Sequence, residues 1–213
     1  MIKATRIAAL LLAASLASGC SILRAAPDTS KYFLLSSTDQ AAIAHAGMHS
    51  EIRFGLGPVK LPGYLDTQQI VRTGAGGGVD YVRGAFWAES LADGFSRSLL
   101  YRTGARIGTP NAVAYPWYAT AGVQWKVPVD VLRFEATSDG RAVLVARWSV
   151  ERTSDGRVMA GAQSVLEETA GGDPAVIVDA LSRCVDRLAD AIAKAVIQAA
   201  ESSAPQATSR RAR

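Results

Sequence analysis

Histidine is scarce in this 213-residue chain, with two in all, and so is cysteine, also with two. That scarcity removes most routes to metal or acid–base chemistry. His45 and His49 sit at i, i+4 spacing, which would bring two imidazoles together on a helix, but no third ligand accompanies them. There is no Gly-x-Ser-x-Gly elbow, His-Glu-x-x-His, Cys-x-x-Cys or Walker sequence. No residues stand out as a nucleophile with its base, so no catalytic residue, metal ligand or cofactor is assigned. An excess of charge of one sign is missing as well. Setting aside Lys3 and Arg6 takes the net +4 to +2, and setting aside Arg210, Arg211 and Arg213 takes it to −1. A body so near neutral lacks the basic face that nucleic-acid binding requires. Long apolar runs are also lacking. Residues 7–17 form the main one, and it falls short of the about 20 residues that cross a bilayer.

What is present starts at the N-terminus. In MIKATRIAALLLAASLASGC, Lys3 and Arg6 form a charged region, residues 7–17 an apolar one, and Ala17, Ser18 and Gly19 supply small residues beside a cut. The segment resembles a bacterial lipobox ending at Cys20, with Ala17 where leucine is usual. Residues 1–19 are therefore expected to be an export signal, Cys20 the lipid attachment site, and 20–30 a short tether. The resemblance implies three acyl chains, and at roughly 0.8 kcal/mol per buried CH₂ that anchor is effectively permanent. Cys184 then has no cysteine partner. It falls on the apolar stripe of a helical segment, where a free thiol packs as a small hydrophobe.

The body, 31–201, is expected to be one α+β domain: an antiparallel sheet packed with an amphipathic mid-chain helix and a long C-terminal helix. Residues 31–35 read as a strand and 36–50 as a loop or short helix. From Glu51, Ile52, Phe54 and Leu56 alternate with Arg53 and Gly55, a half-buried strand expected to stop at Pro58 or Pro62. Residues 69–72 and 79–82 read as strands joined by a glycine-rich hairpin loop at 74–78. No Gly-Lys-Ser/Thr follows those glycines, so the loop is not a phosphate cradle.

Residues 87–103 read as a helix with Leu91, Phe95, Leu99 and Arg102 on one face, Gly94 inside it and Gly104 as its C-cap. Three alternating stretches follow within 121–169. They are Val123 to Val131, Ala142 to Val150 and Val158 to Leu166, joined at Ser138-Asp139-Gly140 and Ser154-Asp155-Gly156. They predict a three-stranded antiparallel meander, with Pro128 placing the first strand at an edge or marking a bulge. Glu167 and Glu168 end the third strand and are expected to face solvent. Asp173 and Pro174 open a last helix as N-cap and N1. Its stripe of Ile177, Leu181, Cys184, Leu188, Ile192 and Ala195 is expected to dock on the sheet, because its many alanines and few heptads suit a coiled coil poorly. Residues 202–213 read as a disordered basic tail.

The motifs LGPVKLPGYLDTQQIVR at 56–72, FWAESLADGFSRSLL at 86–100 and Tyr115-Pro116-Trp117, with the lipobox, resemble the ABC-type transport auxiliary lipoproteins, the family that includes the paraquat-inducible protein C type. Among the signature positions matched are Gly57, Pro58, Trp87, Glu89, Tyr115, Pro116 and Trp117. The glycine-rich 74–78 stretch departs from the pattern. The resemblance implies a non-enzymatic lipoprotein that serves an MCE/ABC-type intermembrane lipid transport system and supports membrane integrity. It implies an MCE-domain periplasmic partner and an inner-membrane permease, with self-association left open. Ser21, where aspartate often signals inner-membrane retention, implies outer-membrane anchoring facing the periplasm. The loop carrying Pro62, Tyr64, Leu65 and Asp66, with Gln69, is the candidate partner contact, Tyr64 being an aromatic anchor on a Pro-stiffened segment; the competing reading is that Tyr64 and Leu65 close the core. Two other functions compete: an assembly lipoprotein for another outer-membrane protein, and a lipid-anchored periplasmic enzyme.

Overall fold

A computed structural model describes residues 29–35 and 47–203. The expected signal at 1–19, Cys20, His45 and the part of the 202–213 tail from 204 onward lie outside the described residues, as do most of the tether and most of the 36–50 segment; Ser202 and Ser203, expected in the tail, are instead helical. The compact body opens at Lys31.

Among the described residues, eight strands and two helices follow one another as β1 (Lys31–Phe33), β2 (Phe54–Lys60), β3 (Gln69–Thr73), β4 (Val79–Trp87), α1 (Leu91–Ile107), β5 (Ala112–Ala114), β6 (Trp125–Thr137), β7 (Arg141–Arg152), β8 (Val158–Thr169) and α2 (Pro174–Ser203). The class is α+β, with a mid-chain and a C-terminal helix as the sequence predicts. The meander β6–β7–β8 is antiparallel throughout, and so is the β3–β4 hairpin across the glycine-rich loop. Gly140 (φ 80°) and Gly156 (φ 69°) supply the left-handed backbone that the two meander turns require.

The rest of the sheet is parallel, so the sheet is mixed. β6 is its spine. β7 lies along one side of it, while β2 and β3 run parallel to different stretches of the other side, β2 beside 125–130 and β3 beside 136–137. β5 extends the sheet beside β2, and β4 then β1 extend it beside β3. Pro128 therefore sits in a central strand. The ladder accommodates it because the register of β2 shifts between Leu56 and Val59, opposite the residue that has no N–H to donate. For the same reason β2 does not stop at Pro58 but steps past it to Lys60.

Both helices cover one face of the sheet. Trp125, Val127, Val129 and Val131 point into that core. A bulge between Val131 and Arg133 resets the alternation, so Phe134 and Ala136 continue it. Ala142, Leu144, Ala146, Trp148 and Val150 of β7 are buried as the period-2 pattern predicts, and so is the whole α2 stripe. Of the third stretch only Leu166 is buried, because β8 is the outermost strand.

α1 lies four residues further along than the sequence pattern suggests, since Trp87 closes β4. It runs through Gly104 to a left-handed C-cap at Gly108. Gly104 serves packing instead: a Cβ there would lie 3.3 Å from Cβ of Ala112 on β5. Phe95 of α1 meets Phe134 edge-on at 5.1 Å. Between the helices, buried Arg102 pairs with Asp186 and donates to the Ser182 carbonyl (3.1 Å), and Arg106 pairs with Asp186 and Asp190. Asp173 caps α2 through its Oδ1, which accepts from the Ala175 N–H at 2.8 Å.

Candidate docking surface

Gly57, Pro58, Tyr115, Pro116 and Trp117, distant in sequence, meet on the helix-free face of β2. Phe54 and Leu56 turn into the core, which leaves Gly55 and Gly57 on the other face. Tyr115 and Trp117 lie over them. The Trp117 ring comes within 2.7 Å of where a Gly55 Cβ would be, and the Tyr115 Cβ within 2.7 Å of a Gly57 Cβ. The Tyr115 N–H donates to the Leu56 carbonyl at 3.0 Å, and the two rings pack edge-to-face at 5.5 Å. Gly57–Pro58 and Tyr115–Pro116 are both cis. The corner borders a depression of about 420 Å³, walled also by Lys126, Pro128 and Glu151.

Trp87 and Glu89 form a second group, at the start of α1. Trp87 is buried. Glu89 makes a two-pronged pair with Arg97, whose guanidinium holds the carboxyl below the usual carboxylate range. The carboxylate lies against Gly94, where a Cβ would be 2.9 Å from Oε1. Gly94 is thus a point of close approach.

The loop between β2 and β3 occupies the gap that those strands leave beside β6. Its single 3-10 turn, Gly63–Leu65, sends Leu65 (2% exposed) into the core. Tyr64 is half-buried, and its hydroxyl donates to Oε2 of Glu135 at 2.5 Å. Burial first, and the Glu135 hydrogen bond second, push the Tyr64 phenol above its ordinary pKa. Glu135 is 1% exposed and also accepts from Arg133 Nε (2.7 Å) and the Phe134 N–H (2.9 Å), so this buried carboxylate is fully hydrogen-bonded. Pro62 is partly exposed and Asp66 exposed, and they line a cleft of about 610 Å³ between the loop and Ser90, Leu91 and Ala92 of the α1 start. Gln69 lies further on, opposite Phe86. Sequence reasoning passed over Glu135. Its one signal was an acid wedged between Phe134 and Ala136 in an otherwise alternating strand.

A wider hollow of about 900 Å³ lies at the C-terminal end of α2, lined by Ile52, Val123, Trp125, Ile197 and Ala200 together with Arg152. His49 also borders it, 3.4 Å from Glu51. Among the described residues, no three His, Cys, Asp or Glu gather as a metal site. Cys184 is buried, and desolvation pushes its thiol up to about 12, the wrong direction for a nucleophile. Glu167 pairs with Arg141, and Glu168 with Arg183 and Arg187, so the two acids brace the strand end. No described helix is long and apolar enough to cross a membrane.

The family model for the ABC-type transport auxiliary lipoprotein component matches residues 33–193. The chain belongs to that family. The matched region runs from the end of β1 into α2 and takes in the aromatic corner, the Glu89–Arg97 pair and the Tyr64–Glu135 loop. Two crystal structures are similar to this auxiliary lipoprotein in fold. One, of an uncharacterized protein, is 18% identical with a TM-score of 0.61 and covers 78% of this chain and 97% of its own. The other, a Xanthomonas campestris protein of the DUF330 family, is 19% identical with a TM-score of 0.60 and covers 71% and 88%. A search of curated proteins returns no significant match.

Proposed function

We propose that the protein is a non-enzymatic outer-membrane lipoprotein of an MCE/ABC-type intermembrane lipid transport system. It is held by acyl chains on Cys20, faces the periplasm, and docks an MCE-domain partner that spans the periplasm from an inner-membrane permease. The family match over 33–193 carries this reading, and the lipobox ending at Cys20 supports it.

The docking element is the 62–66 loop with Gln69. Leu65 and the Tyr64–Glu135 bond clamp the loop to the sheet, which leaves Pro62 and Asp66 presented beside the α1 start at little further cost in ordering. Tyr64 and Leu65 act by holding the loop rather than by touching the partner.

Affinity capture from detergent-solubilised membranes tests it. The intact protein is expected to recover an MCE-domain protein. Asp66→Lys should lower that recovery while leaving the circular dichroism spectrum unchanged. Capture that recovers no envelope transport component overturns the reading.

A further inference from the structure

The sheet edge opposite β8 carries an apolar surface that the docking role leaves unused. Tyr32 on β1 lies directly across from Phe86 on β4, and their rings stack at 5.6 Å. Exposure alternates along this opening segment: Phe33 and Leu35 turn inward, while Tyr32 is 66% exposed and Leu34 53%. Lys31 and Arg83 are exposed on the same two strands. On the neighbouring strands Arg72 and Asp80 pair at 2.8 Å. The edge is therefore an apolar, aromatic surface with Lys31 and Arg83 at its margin, Arg83 lying within the field of Asp80.

Exposed apolar side chains by themselves are ordinary. Position distinguishes these, because β1 is where the compact body begins. Only residues 21–30 separate it from Cys20, so Lys31 stays within about 40 Å of the lipidated residue even when the chain is fully extended. Tyrosine, with an apolar ring and a polar tip, suits the boundary between headgroups and acyl chains. Lysine and arginine beside it suit anionic headgroups.

We propose that the β1–β4 edge is a lipid-facing surface. Tyr32, Leu34 and Phe86 enter the headgroup layer of the membrane that holds Cys20, with Lys31 and Arg83 against its phosphates. The proposal rests on the lipidation of Cys20 in the reading above. A covalent tether alone leaves the body free to turn; a second attachment by contact fixes its orientation and points β8 away from the bilayer.

Spin labelling of the full acylated chain tests this. Cys184 is buried and Cys20 is acylated, so a thiol introduced by Leu34→Cys or, separately, Tyr32→Cys is the one that takes a nitroxide. Tyr118→Cys, at a position 84% exposed in the connection between β5 and β6, is the control. In vesicles of phosphatidylethanolamine and phosphatidylglycerol, labels at 34 and 32 should lose collisions with a water-soluble nickel chelate and gain collisions with oxygen, relative to position 118. Labels as open to nickel as the control overturn the proposal. Labels shielded from both reagents also overturn it, since a protein would then cover the edge. Radiolabelled palmitate separates the two readings. Its absence overturns the anchor and this proposal together, whereas palmitate incorporation with water-exposed labels overturns this proposal alone.

Discussion

Glu135 and Tyr64 are 71 residues apart, yet they form the tightest polar contact in the loop. Removing the hydroxyl leaves a carboxylate that is 1% exposed with one donor fewer, a loss in the range of about 1–3 kcal/mol. Tyr64→Phe is therefore expected to shift the urea midpoint down without changing the slope of the transition. The Tyr64 phenol is raised in the folded state, so its contribution is whole below its ordinary value of 10.0 and is lost as pH climbs beyond that. Tyr64→Phe should accordingly flatten the alkaline arm of the stability curve. Cys184 moves the same way, from 9.0 to about 12. Stability linked to its neutral thiol is full below pH 9 and drains away between 9 and 12, and a thiol-reactive dye should label Cys184 only after denaturation. The Cys184 result was legible in the chain, because its place on a 3.6-residue stripe implied burial. The Tyr64–Glu135 pair was not, since no local pattern joins the two residues.

Among the elements, β2 shows how a strand is shaped by what lies on it. Glycine is a weak strand former, yet Gly55 and Gly57 are the floor on which Trp117 and Tyr115 sit. A methyl group at position 55 would stand 2.7 Å from the Trp117 ring, so the ring must move. Gly55→Ala should cost about 1–3 kcal/mol and change the tryptophan emission, and the emission change should vanish in a Trp117→Phe background. The signature Gly57-Pro58 and Tyr115-Pro116-Trp117 is thus one packing unit, visible as two motifs in the chain but joined only by the fold. α1 tells a similar story. Its apolar face, Leu91, Phe95, Leu99 and Arg102, followed from spacing. Its end is set at Gly108, whose left-handed backbone lets its N–H bond the Gly104 and Ala105 carbonyls, while Gly104 makes room for Ala112 of β5.

Taken as a whole, the body has one core, shared by the sheet and both helices on a single face. Far-ultraviolet circular dichroism and tryptophan fluorescence are therefore expected to report one coincident unfolding transition. Two separated transitions would mean that the helices and the far β1–β4 edge melt independently. At this scale the chain announced its class and its family, but not its sheet order. The Tyr32–Phe86 edge escaped notice for the same reason: β1 meets β4 only across some fifty residues of intervening chain.

Sequence alone determined the elements whose partners are neighbours along the chain. The meander, the glycine-rich hairpin, the capped and striped α2 and the buried Cys184 all follow from period, turn chemistry and short loops, because closing a short loop restricts the chain to few alternatives. Tertiary structure alone decided the parallel pairings of β1, β2, β3 and β5, the central place of a strand containing proline, and the meeting of Tyr64 with Glu135. Those contacts close long loops whose ends carry no mark of one another. They are chosen collectively, as the arrangement that buries the apolar faces of sheet and helices together while leaving the Glu135 carboxylate hydrogen-bonded.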